Sequence, residues 1–132
     1  MKILIDGDVL IDFVQDRTPF SEAATRVLTW TENHPGQAVV AWHTCANLFY
    51  ICGPESRLFL ADLIRYVDIA PVGTTDFTRA LSFRMVDLED AMQAAAALSF
   101  GATFIVTRNV KDYAHSPVKA LSPGEFARRH VT

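Results

Sequence analysis

Carboxylates stand out in three segments of this sequence, and together they could bind a metal ion. The first segment contains Asp6 and Asp8, the second is residues 87–90, and the third is residues 107–112, which ends in Asp112. Several carboxylates at one spot repel one another and become partly protonated unless a cation neutralises them. Mg²⁺ or Mn²⁺ is the expected ion, because both favour oxygen ligands. Since such ions activate water and stabilise a phosphate under attack, the three segments indicate a metal-dependent phosphoester site.

The elements around these acids predict that the three segments meet at one edge of a sheet. Residues 3–5 (ILI) form an unbroken apolar run, which is typical of a strand buried on both faces of a parallel sheet, and Asp6 follows directly. Residues 103–107 are the clearest later strand, and the third acidic segment follows them. In open α/β sheets, ligands bind at the carboxyl ends of the strands. The second segment opens a helix over residues 87–100, whose small alanines let it lie close to the sheet.

Each acid alone also has a structural explanation. Asp8 is a plausible N-cap of the helix after the first strand, and that role is compatible with metal binding. Asp87 is the preferred N-cap of the alanine-rich helix, with Asp90 in the first turn, where the helix dipole favours an acid. Asp12 is expected to be solvated. The prediction of a site therefore depends on the whole set of acids.

Composition and periodicity predict a single globular domain over residues 1–132. Half of the residues are hydrophobic and a fifth are charged, and the sequence contains no repeats or low-complexity segments. Strands alternate with helices, which predicts a three-layer α/β/α sandwich with a mainly parallel central sheet of four to five strands. The predicted strands are residues 3–5, 38–41, 67–70, 103–107 and 118–121, and the predicted helices are residues 8–14, 21–31, 44–52, 55–66, 75–85, 87–100 and a last one from 122.

Charge and cysteine content bear on location and partners. The formal net charge of −3 argues mildly against non-specific nucleic-acid binding, although a bound metal would change the local sign. No apolar run is long enough to span a membrane, and the N-terminus lacks a signal-peptide pattern. Cys45 and Cys52 lie about two turns apart on one predicted helix, too far for a mutual disulfide. They are expected to be reduced thiols of a cytoplasmic protein.

The acidic segments also match the pattern of a known family. The match is carried by residues 3–12 (ILIDGDVLID), by residues 87–91 (DLEDA) with the alanine-rich helix, by residues 105–113 (IVTRNVKDY) and by the closing residues 116–126. In these segments and their order, the chain resembles the PIN-domain ribonucleases, and in particular the small VapC-like toxins of bacterial toxin–antitoxin pairs. The resemblance implies a PIN-like fold and an endoribonuclease that hydrolyses RNA phosphodiester bonds through a metal-activated water.

Position by position, the resemblance implies that Asp6, Asp90 and Asp112 are the catalytic, metal-binding acids. Asp8 stands where the family often has Asn, and it is a further candidate ligand of Mg²⁺ or Mn²⁺. The residues expected to line the substrate pocket are Asn47, Asp87, Thr107, Arg108 and Asn109.

The main departure from the family pattern is Asn47. Family members usually carry a Glu in the helix after the second strand, and Asn brings no negative charge there. A weaker second metal site or low activity is therefore an open alternative. The hypothesis we adopt is that Asp8 and Asp87 make up the missing charge.

The resemblance also implies partners. They are an RNA substrate, a cognate antitoxin whose segment lies across the acidic groove, and a second copy of the chain in a homodimer, with no role for a membrane. Arg84, Arg108, Lys111 and Lys119 could guide RNA phosphates towards the site.

Two other functions compete with the nuclease. A catalytically weak PIN-fold domain that binds RNA or a partner is favoured by Asn47. A haloacid-dehalogenase-like phosphatase would use Asp6 as the nucleophile and Asp8 as the general acid. That class needs a Lys and a late acidic pair after a further strand. The residues after Thr107 contain no such pair, and Asp90 and Asp112 would be left unexplained.

Overall fold

A central parallel sheet organises the structure, which is a computed structural model describing residues 1–131. Its strands are β1 (Ile3–Ile5), β2 (Ala38–Val40), β3 (Asp68–Ile69), β4 (Phe104–Val106) and β5 (Lys119–Leu121). They lie in the order β3-β2-β1-β4-β5, and each neighbouring pair is parallel. The predicted α/β fold with a mainly parallel sheet is therefore confirmed.

Helices connect the strands, close to the predicted positions. They are α1 (Gly7–Val14), α2 (Ser21–Asn33), α3 (Trp42–Cys52), α4 (Ser56–Leu63), α5 (Thr74–Ser82), α6 (Leu88–Phe100) and α7 (Pro123–His130), with a 3₁₀ helix (Val110–Tyr113) between β4 and β5. The largest differences are in α4 and α5, which each end three residues before their predicted ends at Tyr66 and Met85. In α5 the reason lies in the next residue. The C-cap Phe83 has an extended backbone, and the residues after it form the link to α6.

The sheet separates two apolar cores. Ile3 and Ile5 pack on one face with residues of the surrounding helices such as Phe126, whereas Leu4 packs on the other face with alanines of α6 such as Ala94. All three residues of β1 are fully buried, which explains why the run is apolar without alternation. Because the α6 alanines are small, this helix contacts β1 and β4 directly.

The central position of β1 places its carboxyl end beside that of β4. The Asp6 N–H donates to the Val106 carbonyl oxygen at 3.0 Å, so the ladder continues to the first acid. The chain then turns at Gly7, where an added Cβ would lie 3.3 Å from Cγ2 of Thr44. A glycine at this position lets the first turn of α1 pack closely against α3, which brings Asp8 to the same edge.

The two predicted helix caps have different outcomes. The N-cap of α1 is Asp6, whose carboxylate accepts a hydrogen bond from the Gly7 N–H at 2.7 Å, so the prediction that Asp8 is the cap is wrong. The helix begins one residue earlier than expected because the chain turns directly after the strand. Asp87 is the N-cap of α6, as predicted, and accepts from the Asp90 N–H at 3.1 Å.

Two further sequence expectations concern membranes and cysteines. Within residues 1–131, no helix is long and apolar enough to cross a membrane. Cys45 and Cys52 are both free thiols, each half-buried on α3.

Candidate active site

A cleft of about 500 Å³ opens at the carboxyl ends of β1 and β4. The parallel strands bring together the residues that follow them, and α6 adds its own N-terminal acids, so all three acidic segments meet there. The acids that line the cleft are Asp6, Asp8, Asp87, Glu89, Asp90 and Asp112, and the polar neutral residues are Thr44, Asn47, Gln93 and Asn109.

Asp6 is held by four hydrogen-bond donors. Its Oδ1 accepts from the Gly7 N–H at 2.7 Å and from Nε2 of Gln93 at 3.1 Å, while its Oδ2 accepts from the hydroxyls of Thr107 at 2.8 Å and Tyr113 at 3.3 Å. Burial raises the pKa of Asp6 above its ordinary value, against the lowering effect of these hydrogen bonds. The carboxylate is therefore fixed in position, and its negative charge is unfavourable where it stands.

Asp8 offers an oxygen that nothing in the described chain satisfies. Its Oδ2 accepts from the Arg108 N–H at 3.0 Å and from Nδ2 of Asn109 at 3.3 Å, whereas the buried Oδ1 has no hydrogen-bond partner within residues 1–131. Burial and the nearby charge of Asp6 raise the pKa of Asp8 to about 7. An unpartnered carboxylate oxygen beside another acid is suited to a cation.

Tyr113 stands between two of the predicted catalytic acids. Its hydroxyl lies 3.3 Å from Oδ2 of Asp6 and 3.3 Å from Oδ1 of Asp90. Burial, with the charges of Asp87 and Asp6, raises the pKa of Asp90 to about 6. Burial and the two carboxylates also raise the pKa of Tyr113 far above its usual range, so the hydroxyl keeps its proton and acts as a donor.

The acids share the cleft without converging on one point. Across residues 1–131, no three Asp, Glu, His or Cys side chains are close enough to form a ready metal-binding group. The chemistry of the donor set nevertheless fits a hard cation, because the groups lining the cleft offer oxygen and because Oδ1 of Asp8 lacks a partner. Asp112, on the 3₁₀ helix, is exposed where it lines the cleft.

Asn47 has a partner that sequence reasoning missed. Its Nδ2 donates to Oε1 of Glu89 at 2.7 Å, across the cleft from α3 to α6. The Glu89 carboxylate therefore lies beside Asn47, whose own side chain is uncharged. Asp87, one of the two acids expected to make up the charge, is already occupied as the N-cap of α6.

Thr107 and Arg108 lie beneath and behind the cleft rather than on its surface. Thr107 is fully buried and supports Asp6. The Arg108 guanidinium forms hydrogen bonds of 2.6 and 3.2 Å with Asp12 and stacks over Phe20 at 4.1 Å. The expectation that Asp12 is solvated is wrong, because its side chain is 1% exposed and is neutralised by Arg108. Of the groups of Arg108, only the backbone N–H contacts an acid of the cleft, Asp8.

The metal-free protein is expected to lose stability as the pH rises from about 5 to about 8. The pKa values of Asp6, Asp8 and Asp90 are raised in the folded chain, so the folded state holds more protons than the unfolded state over this range. Stability is therefore lost as the pH passes through the folded pKa values, and Tm should fall by several degrees. Mn²⁺ should raise Tm mainly at the higher pH. Thermal denaturation at both pH values checks this, and a metal-free Tm that rises with pH would contradict it.

Comparisons with known proteins agree with this fold. A family model described as "PIN domain" matches residues 2–111. Among curated proteins, none matches the chain. The fold is similar to a solved structure from a Klebsiella pneumoniae toxin–antitoxin complex, with 24% identity and a TM-score of 0.64 over 92% of this chain and 98% of that one.

Two further solved structures have the same fold. VapBC2 from Rickettsia felis, bound to a DNA fragment from its promoter, has 13% identity and a TM-score of 0.68 over 92% of this chain and 98% of that one. VapC20 from Mycobacterium tuberculosis, a sarcin–ricin loop cleaving toxin, has 17% identity and a TM-score of 0.61 over 99% of this chain and 97% of that one. At these identities, the similarity shows the fold.

Proposed function

This chain belongs to the PIN-domain family, and on that basis we propose that it is a metal-dependent endoribonuclease and the toxin of a toxin–antitoxin pair. The observation that carries the proposal is the single cleft at the carboxyl ends of β1 and β4, where acids from three distant segments meet. Support for a toxin comes from the structures of similar fold, which include toxin–antitoxin complexes and an RNA-cleaving toxin. We propose an antitoxin and a second copy of the chain as its partners, and the cytoplasm as its location.

Asp6, Asp8, Asp90 and Asp112 are the residues that would hold Mg²⁺ or Mn²⁺. When bound, the ion supplies positive charge that makes a water more acidic and offsets the negative charge on the phosphodiester. The chain contributes rigidity, because Thr107 and Gln93 fix the Asp6 carboxylate from below.

Glu89 supplies the charge that the family usually places at the position of Asn47. The hydrogen bond of 2.7 Å from Asn47 holds the Glu89 carboxylate on the α3 side of the cleft. We therefore propose Glu89 rather than Asp87 as the compensating acid.

A second candidate function is a PIN-fold domain that binds RNA and cuts it weakly. The observation that favours it is that no three of the metal-ligating side chains in residues 1–131 converge. The PIN-domain match removes the haloacid-dehalogenase-like phosphatase from consideration.

The proposed function predicts cleavage of RNA that depends on added metal. Total RNA incubated with the purified protein should be cut in the presence of Mg²⁺ or Mn²⁺ and remain intact when a chelator replaces the metal. Gel electrophoresis of the RNA provides the measurement. The same cleavage in chelator would refute the metal requirement, and RNA binding without cleavage at any metal concentration would identify the weak binder instead.

A further inference from the structure

A second groove, of about 410 Å³, adjoins the acid cleft. Asp87, Asp90 and Asp112 line both spaces, so these acids form the wall that the two share. Beyond this wall the groove is lined by cationic or titratable side chains, namely Arg84, Lys111 and His115. The second groove therefore combines the shared acids with cationic side chains that the acid cleft lacks.

The cations of this groove are available to a ligand. Arg84 and Lys111 are exposed, and neither comes within ion-pair distance of a carboxylate in the described part of the chain. The acid cleft itself is lined within residues 1–131 by no Lys, Arg or His, and Tyr50 and Ile51 of α3 line the cleft but not the groove. Within residues 1–131, the exposed Arg84 and Lys111 thus line the second groove and not the acid cleft.

Both cations are attached to the backbone segments that carry the acids. Lys111 directly precedes Asp112 on the 3₁₀ helix, and Arg84 lies in the short link that ends at the Asp87 cap of α6. A polyanion held by these two side chains would therefore lie beside the acids. Lys and Arg contacts to phosphates fix the register of a nucleic acid without reading its sequence.

The other cations considered from the sequence are not in a position to act here. Arg108 is paired with the buried Asp12 and lines a separate cavity with Phe20. Lys119 begins β5, in register with Phe104 at the amino end of β4, whereas the cleft lies at the carboxyl ends.

We propose that the groove lined by Arg84, Lys111 and His115 binds the RNA phosphates on one side of the scissile bond. The strand then enters the acid cleft over Asp87, Asp90 and Asp112 and leaves past the uncharged rim at Tyr50. This proposal rests on the proposed function, because it assumes that the polyanion is RNA.

The test measures binding of a short fluorescein-labelled oligouridine by fluorescence anisotropy at several salt concentrations, in chelator. The protein carries Asp6→Asn so that no RNA is cut, and it is compared with the same protein carrying Arg84→Gln and Lys111→Gln. The two added substitutions should weaken binding about tenfold and lower the slope of log affinity against log salt by about 1.4, since each phosphate contact contributes about 0.7. Lys119→Gln is the matched control, because it removes one exposed positive charge at the opposite end of the sheet.

The results separate this proposal from the proposed function. An unchanged slope in the Arg84→Gln, Lys111→Gln protein, an equal loss with Lys119→Gln, or no measurable binding of oligouridine at low salt would overturn the groove as an RNA site. If the slope is unchanged, a protein partner becomes the better candidate to bind in the groove. None of these results affects the metal-dependent cleavage of total RNA, which tests the proposed function alone. A reduced slope confined to the groove variant supports the groove as an RNA-binding site even if no cleavage is found.

Discussion

Replacing Asp6 with Asn should lower the rate of RNA cleavage by more than about a hundredfold. Substituting a residue that only supports a metal ligand costs up to about a hundredfold, and the loss of a ligand itself should cost more. The same change should leave the metal-free protein at least as stable as the wild type at neutral pH. Asp6 is a partly buried acid whose pKa is raised by desolvation, so its charge is unfavourable in the folded chain. The isosteric Asn keeps an oxygen for Gly7 and Gln93, and the hydroxyls of Thr107 and Tyr113 can rotate to accept from its amide.

The opposite directions of the two effects make this prediction specific. A variant that loses activity through misfolding would show a lower Tm, whereas Asp6→Asn should not. Cleavage rates on total RNA and thermal denaturation without metal provide the two measurements. Asp68→Asn, which removes an exposed carboxylate on β3 away from the cleft, is the control and should change neither. Full activity of the Asp6→Asn protein would exclude the proposed metal mechanism.

The second prediction concerns the pair of Asn47 and Glu89. Glu89→Gln should reduce cleavage about tenfold to a hundredfold, because it removes a carboxylate from the cleft while keeping the size of the side chain. Asn47→Glu alone should also reduce activity, since it would place two carboxylates at the position of the present 2.7 Å hydrogen bond. Cleavage assays at fixed Mn²⁺ concentration measure both.

Exchanging the two residues gives the decisive comparison. The protein with both Asn47→Glu and Glu89→Asn retains one carboxylate and one amide, and the combined reach of the two side chains is unchanged. Its activity should exceed that of either single variant. Glu32→Gln, which removes an exposed carboxylate on α2, is the control. If the exchanged protein is as impaired as Glu89→Gln, a carboxylate at position 47 does not replace the one at position 89, and the proposal that Glu89 supplies the charge missing at Asn47 is wrong.

The parts of the fold that local sequence determines were predictable. β1 and β4 are short apolar runs that must be buried on both faces, and the alanines of α6 indicated close contact with the sheet. The parallel arrangement then followed from the alternation of strands and helices. The position of the N-cap of α1 was not predictable, because Asp6 and Asp8 are equally suitable by type and only the turn at Gly7 decides between them.

The contacts that were missed join residues distant in sequence. Glu89 has the sequence context of an ordinary acid in the first turn of a helix, and its partner Asn47 lies 42 residues earlier. Asp12 has the context of an exposed acid until Arg108, 96 residues later, is placed over it. Such pairs depend on how helices pack, which periodicity within each helix does not specify. The one signal of the Asn47–Glu89 contact in the sequence was the Asn at position 47, where the family usually has a Glu. It indicated that another acid supplies the negative charge.

The central place of β1 has a consequence for the synthesis of the protein. β1 precedes the other four strands of the sheet, yet its neighbour β4 follows only about a hundred residues later. A nascent chain that has not reached β4 holds Asp6 without Thr107, Tyr113 or Asp112. Contacts of such long sequence separation also form slowly, because a large loop must close first. Under the proposed function, a nascent chain that has not reached β4 would therefore lack a complete acid cleft, and the ribosome making it would not be exposed to cleavage until β4 and the residues after it have been added.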